Sequence, residues 1–125
     1  MGPVHSKEAC TESLEAVRDA LYVLNGKWKL PIIIALSTSA RRFRELHRLL
    51  EGITPKVLSK ELKELELNEF VVRKVYDSSP VVVEYSLTPY SSSLDKVIEC
   101  LRDWGMQHRK RLYASHKKQR MAAVD

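Results

Sequence analysis

One stretch of this chain, residues 53–65, reads Ile53-Thr54-Pro55-Lys56-Val57-Leu58-Ser59-Lys60-Glu61-Leu62-Lys63-Glu64-Leu65. Thr54 is a typical N-cap residue, because its hydroxyl can accept a hydrogen bond from a backbone N–H of the first helical turn. Pro55 then falls at the first helical position, where a missing N–H costs nothing. The stretch therefore predicts a helix that begins at Pro55 and ends near Leu67, before Asn68.

The predicted helix has two different faces. Leu58, Leu62 and Leu65 recur at i, i+4 and i+7, so they form one apolar stripe suited to a protein core. Lysines recur with the same spacing on the other side, with a serine at their edge. These polar positions are Lys56, Ser59, Lys60 and Lys63. A helix with one face for a core and one for an anion is typical of the recognition helix of a helix-turn-helix.

A short helix rich in arginine precedes the recognition helix. It is predicted over residues 41–50 and is followed by a turn at residues 51–54. In that turn, Gly52 can adopt the left-handed conformation that ends a helix, and Ile53 can fill the corner between the two helices. This spacing of helix, turn and helix strengthens the prediction of a helix-turn-helix.

Arginines lie near the start of the preceding helix, where a helix-turn-helix crosses the DNA backbone. Arg41 and Arg44 are expected to face phosphates. Arg42 projects nearer the buried side, and could instead pair with a carboxylate such as Glu45 or Glu66. Of the three arginines, Arg44 is the better candidate for a phosphate contact.

Two later segments have the composition of strands. Residues 70–76 and 81–87 are rich in β-branched and aromatic side chains, and they flank a turn cluster at residues 77–80, which predicts a β-hairpin. The hairpin tip carries no cation of the kind that reads a minor groove. Any contact from it is therefore expected to reach the DNA backbone, through Lys74 and the Ser78 hydroxyl.

The remaining segments are predicted to be helical. They are a first helix over residues 8–24, a buried helix over residues 28–36 with Trp28 in the core, and a last helix from Thr88-Pro89 to about Tyr113. This order of elements predicts an α+β, mostly α, winged helix-turn-helix in which the hairpin is the wing. The whole chain, residues 1–125, is expected to be one domain with frayed ends at about residues 1–7 and 114–125.

Charge is distributed unevenly along the 125 residues, whose formal net charge is +5. Residues 41–63 carry seven Lys or Arg against three acids, whereas residues 64–90 carry two against five. Basic charge therefore concentrates in the predicted helix-turn-helix, as binding to phosphates requires. A second basic cluster lies at residues 109–120. We interpret this cluster as the solvated end of a helix, where cations also interact favourably with the helix dipole, and not as a second anion-binding surface.

The composition also predicts where in the cell the protein is found. Hydrophobic residues make up 44% of the chain, no apolar run approaches a membrane span, and the first residues lack the apolar core of a signal peptide. The two cysteines, Cys10 and Cys100, show no spacing typical of zinc. We therefore expect a cytoplasmic protein with reduced thiols and no metal.

Five motifs, in this order, resemble one known family. They are Gly26-Lys27-Trp28, Arg42-Phe43-Arg44-Glu45-Leu46, Gly52-Ile53-Thr54-Pro55-Lys56-Val57-Leu58-Ser59, Leu62-Lys63-Glu64-Leu65-Glu66 and Val83-Glu84-Tyr85-Ser86-Leu87-Thr88. With them, roughly residues 10–112 resemble the HxlR-type winged helix-turn-helix regulators of bacteria. The resemblance implies a nucleoid-associated transcriptional regulator, by family habit a repressor, that binds a pseudo-palindromic operator as a homodimer.

The resemblance also assigns roles to residues. The first and last helices would build the dimer interface, through Leu14, Val17, Leu21, Leu94, Leu101 and Trp104. The DNA contacts would come from Arg41, Arg44, Thr54, Pro55, Lys56, Ser59, Lys60, Lys63, Lys74 and Ser78. Many members sense electrophiles or oxidants through a cysteine near the N-terminus, for which Cys10 is the candidate. A small packing residue at a dimer seam is an equal alternative for Cys10, and Cys100 is expected to be inert.

Other function classes fit the sequence less well. No Ser/His/Asp set, glycine-rich phosphate loop or partner base for Cys10 suggests catalysis, so we expect neither an enzyme nor a cofactor. A winged helix that binds another protein and has lost DNA binding remains the main alternative. It would not depend on the lysine face of the recognition helix.

Overall fold

The computed structural model describes residues 6–123, and the chain divides into two compact units after Ser91. The elements, in chain order, are α1 (Lys7–Val23), α2 (Lys29–Leu36), β1 (Arg41–Arg42), α3 (Phe43–Leu49), α4 (Pro55–Leu67), β2 (Val71–Tyr76), β3 (Val82–Leu87), a 3-10 helix (Pro89–Leu94) and α5 (Asp95–Ala123). The fold is a winged helix-turn-helix, as predicted, in which α3 and α4 form the helix-turn-helix and β2 and β3 form the wing. That all of residues 1–125 form one domain remains a prediction.

The core of the first unit lies where α2, α3 and α4 meet the sheet. The inward leucines of α4 that the sequence predicted, Leu58, Leu62 and Leu65, are buried, as is Leu46 of α3. Ile53 is also buried in the turn between the two helices, as predicted. The apolar stripe of α4 thus fixes this helix against the domain and leaves its other side to solvent.

The sheet contains one strand that the sequence did not reveal. Its order is β1-β3-β2, with both pairs antiparallel. Arg41 and Arg42 pair with Tyr85 and Glu84 of β3, so the prediction that Arg41 begins a helix was wrong. The helix α3 begins at Phe43 instead, because the two arginines complete an antiparallel ladder with a strand more than forty residues away in sequence.

The second unit is dominated by α5. The residues after Thr88 first form a 3-10 helix, so α5 begins only at Asp95. It continues to Ala123, which corrects both the predicted end near Tyr113 and the predicted fraying of residues 114–123. The physical reason is composition, since no proline or glycine follows Gly105 and most of these residues are good helix formers. The predicted ends at residues 1–5 and 124–125 lie outside the described residues.

The first two helices differ from the prediction in detail. Ser6 caps α1, because its Oγ accepts a hydrogen bond of 3.0 Å from the Ala9 N–H. Residues 6 and 7, which were expected to fray, therefore belong to the ordered start of α1. Trp28 is only half-buried, at the N-cap position of α2, and Ile34 is exposed, so α2 is not buried all round. Within residues 6–123, no helix is both long and apolar enough to cross a membrane.

Candidate nucleic-acid interface

The start of the recognition helix α4 has the predicted local geometry. Thr54 has an extended backbone, and its Oγ1 accepts a hydrogen bond of 3.2 Å from the Val57 N–H. Pro55 occupies the first turn. The cap leaves the exposed N-terminal end of α4, with its partial positive charge, available to an anion.

The polar face of α4 lies in solvent. Lys56, Ser59, Lys60 and Lys63 are all exposed, on the side opposite the buried leucines. Lys60 Nζ lies 4.0 Å from Glu64 Oε1, which is a loose contact between solvent-exposed groups. In the part of the chain that the structure describes, Lys56 and Lys63 have no acid within ion-pair distance. The structure thus brings four of the predicted residues together on one cationic surface, which we call the lysine face.

A buried lysine of α2 binds two of the three acids of α4, Glu61 and Glu64. Lys29 of α2 is only 1% exposed. Its Nζ donates to Glu61 Oε2 at 2.8 Å, to Asn25 Oδ1 at 3.0 Å and to Glu64 Oε2. Its three hydrogens therefore all have acceptors, which is what a buried ammonium requires. We call these four residues the Lys29 cluster.

Burial and ion pairing act in opposite directions on the Lys29 cluster. Desolvation lowers the pKa of Lys29, but hydrogen bonds and charge from Glu61 and Glu64 outweigh it, so the pKa is raised. The hydrogen bond from Lys29 lowers the pKa of Glu64 against a smaller desolvation effect. Sequence reasoning missed this cluster. A lysine inside the apolar run of residues 28–36 was the available indication, since such a residue must find a carboxylate when buried.

The three arginines near α3 have different roles. Arg41 is half-buried, and its Nε donates to the Ala35 carbonyl at 2.7 Å, so it holds the end of α2. Arg42 is exposed, and only its backbone N–H bonds Glu45, at 2.9 Å, so the expectation that its side chain lies nearer the buried side was wrong. The reason is that Arg42 lies in β1 and not on a helical face. Arg44 is exposed and free to reach a phosphate.

Two exposed cations, Arg73 and Lys74, lie on β2 of the wing, and the prediction concerned Lys74. Lys74 is exposed, with Nζ 5.1 Å from the centroid of the Tyr76 ring, and the Tyr76 hydroxyl lies 3.3 Å from Glu84 Oε1. Ser78 Oγ donates to the Pro80 carbonyl at 2.7 Å. That bond uses the hydrogen that a phosphate contact would need, so of the two predicted wing contacts only Lys74 keeps its donors free of such a bond.

Five of the six residues expected at a dimer interface are exposed. On α1, Leu14, Val17 and Leu21 line an open apolar groove of about 440 Å³, and the exposed Cys10 lies at its end. On α5, Leu101 and Trp104 are exposed, and the Trp104 ring stacks on His108 at 4.8 Å.

Two expectations about the second unit need correction. Leu94 is 8% exposed, because it ends the 3-10 helix as a core residue of the single chain, so it offers little area to a partner. Cys100, which was expected to be inert in packing, is exposed on α5.

Known proteins resemble this chain over most of its length. The profile of the HxlR-like helix-turn-helix family matches residues 23–113. The HTH-type transcriptional regulator YtcD of Bacillus subtilis (strain 168) is 40% identical over 98 residues, which cover 78% of each protein.

Two solved structures support the same assignment. The redox regulator HypR in its reduced form superposes with a TM-score of 0.74 at 34% identity, over 79% of this chain and 98% of that one. The reduced form of the transcriptional regulator YodB from B. subtilis superposes with a TM-score of 0.66 at 36% identity, over 72% and 88%. These matches confirm the predicted fold and family. The chain is therefore a helix-turn-helix transcriptional regulator that belongs to the HxlR-like family.

Proposed function

We propose that this regulator binds double-stranded DNA sequence-specifically, as a homodimer on a pseudo-palindromic operator, and represses transcription. The observation that supports this most is the lysine face, since α4 presents Lys56, Ser59, Lys60 and Lys63 to solvent while Lys29 binds two of its acids. Solubility alone does not explain why the lysines of this helix are exposed while two of its acids are bound by Lys29. Because the partner is chromosomal DNA, the protein would act in the cytoplasm, on the nucleoid.

In this mechanism, α4 enters the major groove and the capped start of α4 meets the DNA backbone. Lysines supply mainly phosphate contacts and can also hydrogen-bond guanine edges. Thr54 and Pro55 place the helix N-terminus where a phosphate is stabilised by the dipole and free N–H groups. Arg44 and Lys74 add backbone contacts on either side. In a two-fold dimer, two copies of α4 would enter successive major grooves about 34 Å apart.

The dimer is proposed to form through the exposed apolar faces of α1 and α5. Apolar side chains this exposed on a single chain indicate a surface that a partner covers. Cys10 adjoins Leu14 and Val17 on the α1 groove, so an electrophile or oxidant that modifies its thiol would add a polar or bulky group to that face. The similarity to the redox regulator HypR supports a response of this kind.

The decisive test of DNA binding is the double substitution Lys60→Glu/Lys63→Glu. Fluorescence anisotropy would compare the DNA upstream of the chain's own and adjacent genes with a scrambled duplex. We expect selective binding by the wild type and its loss in the double variant. The slope of log affinity against log salt should fall by about 2 or more, because two phosphate contacts are lost and two repulsive charges are added. The control Lys7→Glu/Lys96→Glu makes the same charge change outside the recognition helix, and we expect it to bind selectively.

The alternative is a winged helix that binds a protein instead of DNA. It predicts equal, weak binding to both duplexes and no dependence on the lysine face. If selective binding survives Lys60→Glu/Lys63→Glu, α4 is not the recognition helix. Cys10→Ser tests the sensor separately: oxidant treatment should release wild-type protein from its operator and leave this variant bound. Release of both would exclude Cys10 as the sensor.

A further inference from the structure

The end of α5 carries more positive charge than the chain as a whole. Residues 109–120 contain six Lys or Arg and no acid, whereas the formal net charge of all 125 residues is +5. The rest of the chain therefore has a net charge of −1. The cations lie on a continuous helix, because α5 runs to Ala123. This segment also extends beyond residue 113, where the match to the family profile ends.

Most of these cations share one side of α5 with an aromatic residue. Arg109, Tyr113, Lys117 and Arg120 follow one another at spacings of four, four and three residues, and Lys110 lies beside them. Residues at these spacings are neighbours on a helix surface. All five are exposed, and Tyr113 is 72% exposed. We call these five residues the basic face. Arg111 and Lys118 lie on the opposite side of the helix.

The helix dipole does not account for the basic face. Dipole effects fall off within the last turn of a helix, and Arg109 and Lys110 lie nearly four turns before the end of α5. Ion pairs do not account for it either, because no Asp or Glu occurs between Asp103 and Asp125 in the sequence. Like charges at helical spacing repel each other, so this arrangement weakens the helix unless an external anion neutralises it.

We propose that the basic face binds the phosphates of duplex DNA, as a second, sequence-independent contact in addition to the recognition helix. From Arg109 to Arg120 the helix rises about 16 Å, a length over which one DNA strand presents about five phosphates. Four cations spaced along that length suit such a row. The hydroxyl of Tyr113 can donate to a phosphate oxygen between them. The inference rests on the proposed DNA-binding function, and it assigns a role to residues outside the helix-turn-helix.

The test compares two variants with the same loss of charge. Arg109→Gln/Lys117→Gln removes one Arg and one Lys from the basic face, and Arg111→Gln/Lys118→Gln removes one of each from the opposite side. Binding of the full-length proteins to a fluorescein-labelled duplex of scrambled sequence, about 40 base pairs long, is measured by anisotropy across a salt series. Glutamine keeps helix propensity, and circular dichroism checks that both variants retain the wild-type helix content.

If the basic face contacts phosphates, Arg109→Gln/Lys117→Gln lowers the salt slope by about 2. The loss of affinity relative to the wild type then shrinks about tenfold between about 50 mM and about 200 mM salt. Arg111→Gln/Lys118→Gln keeps the wild-type slope. Equal effects of the two variants would mean that only net charge matters, and no effect of either would mean that α5 does not touch DNA. Both results overturn the proposal.

The same series separates this inference from the proposed function. Selectivity for the operator over the scrambled duplex depends on α4, so we expect it to be unchanged in Arg109→Gln/Lys117→Gln. Selective wild-type binding with an unchanged salt slope in this variant would refute the basic face alone. Equal wild-type affinity for both duplexes, with a lowered slope in this variant, would refute the sequence-specific function and support the phosphate contact of α5.

Discussion

Glu64 contacts both a buried lysine of the domain and an exposed lysine of the lysine face. Its Oε2 accepts from the buried Lys29, and its Oε1 lies 4.0 Å from the exposed Lys60. The bond to Lys29 is the important one, because the pair with Lys60 lies in solvent and stabilises little. Glu64 therefore contributes to the fold more than to the lysine face.

This position predicts how stability depends on pH. The pKa of Glu64 is lowered from 4.5 by the hydrogen bond from Lys29, so the folded state favours the ionised carboxylate. A lowered folded-state pKa gives stability that is present above the unfolded value, and that is lost as the pH falls through the folded value. Wild-type protein should therefore exceed Glu64→Gln in free energy of unfolding at neutral pH, and this difference should shrink below the ordinary value of 4.5.

Urea denaturation of both proteins between about pH 3 and about pH 7 measures this difference. The comparison with Glu64→Gln at each pH removes the contributions of the other acids. A difference that stays constant over the whole range would contradict the role given to the Lys29 hydrogen bond.

Two residues show what local sequence can and cannot predict about the backbone. Gly52 has φ +93°, as expected for a glycine that ends α3 before Ile53 enters the core. Glu69 has φ +66°, which glutamate does not favour, and nothing in its neighbourhood suggested it. This conformation lets the Phe70 N–H reach the Leu65 carbonyl at 3.0 Å and reverses the chain into β2. The positive φ of Glu69 is imposed by tertiary structure, so it could not be predicted from the residue type.

At the scale of elements, the Lys29 cluster ties α2 to the recognition helix. Lys29→Met keeps the length and burial of the side chain but removes its charge, which leaves Glu61 buried without its partner. Removing one member of a buried ion pair typically costs about 3 kcal/mol or more. We expect that loss in the free energy of unfolding, measured by urea denaturation at neutral pH. Lys27→Met removes an exposed cation that lies 5.1 Å from the centroid of the Trp28 ring, and we expect an effect of about 1 kcal/mol or less. Similar values for the two variants would mean that the cluster is energetically unimportant.

Some elements are determined by their own sequence, and others by contacts with segments far away in the chain. The recognition helix was predicted to its last residue because its cap, its proline and its leucine spacing all lie within the helix. The wing was predicted because strand composition and turn residues are adjacent. By contrast, β1 depends on pairing with β3, and the burial of Lys29 depends on carboxylates on α4. Contacts between segments far apart in sequence leave no local periodicity, so sequence reasoning missed them.

The exposure of the lysines of α4 could be predicted as well as the burial of its leucines. Lysines on a solvent face follow from the same period that buries the leucines, so the lysine face followed directly from the sequence. Arg41 and Ser78 were chosen for their chemistry alone, and the structure uses their donors within the chain. Spacing therefore predicted which side chains are exposed, whereas the hydrogen bonds of individual donors depend on tertiary contacts.

For the whole molecule, the central prediction is dimerisation through apolar faces. Leu14→Glu/Leu21→Glu places two charges on the exposed stripe of α1. Sedimentation velocity at micromolar concentration should show a dimer for the wild type and a monomer for this variant, because stable interfaces do not bury unpaired charges. Ala16→Glu/Ala20→Glu introduces the same charges on the other side of α1, and we expect it to remain dimeric. A dimer in both variants would exclude the α1 stripe from the interface.

The two tryptophans give the protein an optical readout of the proposed dimerisation. Trp28 is half-buried, with its ring 4.0 Å from the place that a side chain at Gly52 would occupy, so its emission reports on the helix-turn-helix corner. Trp104 is 63% exposed and stacked on His108, on the apolar face of α5. When a partner covers that face, the indole loses its water and its emission moves to shorter wavelengths. Association can thus be followed by intrinsic fluorescence across a dilution series, without a dye and without altering a residue.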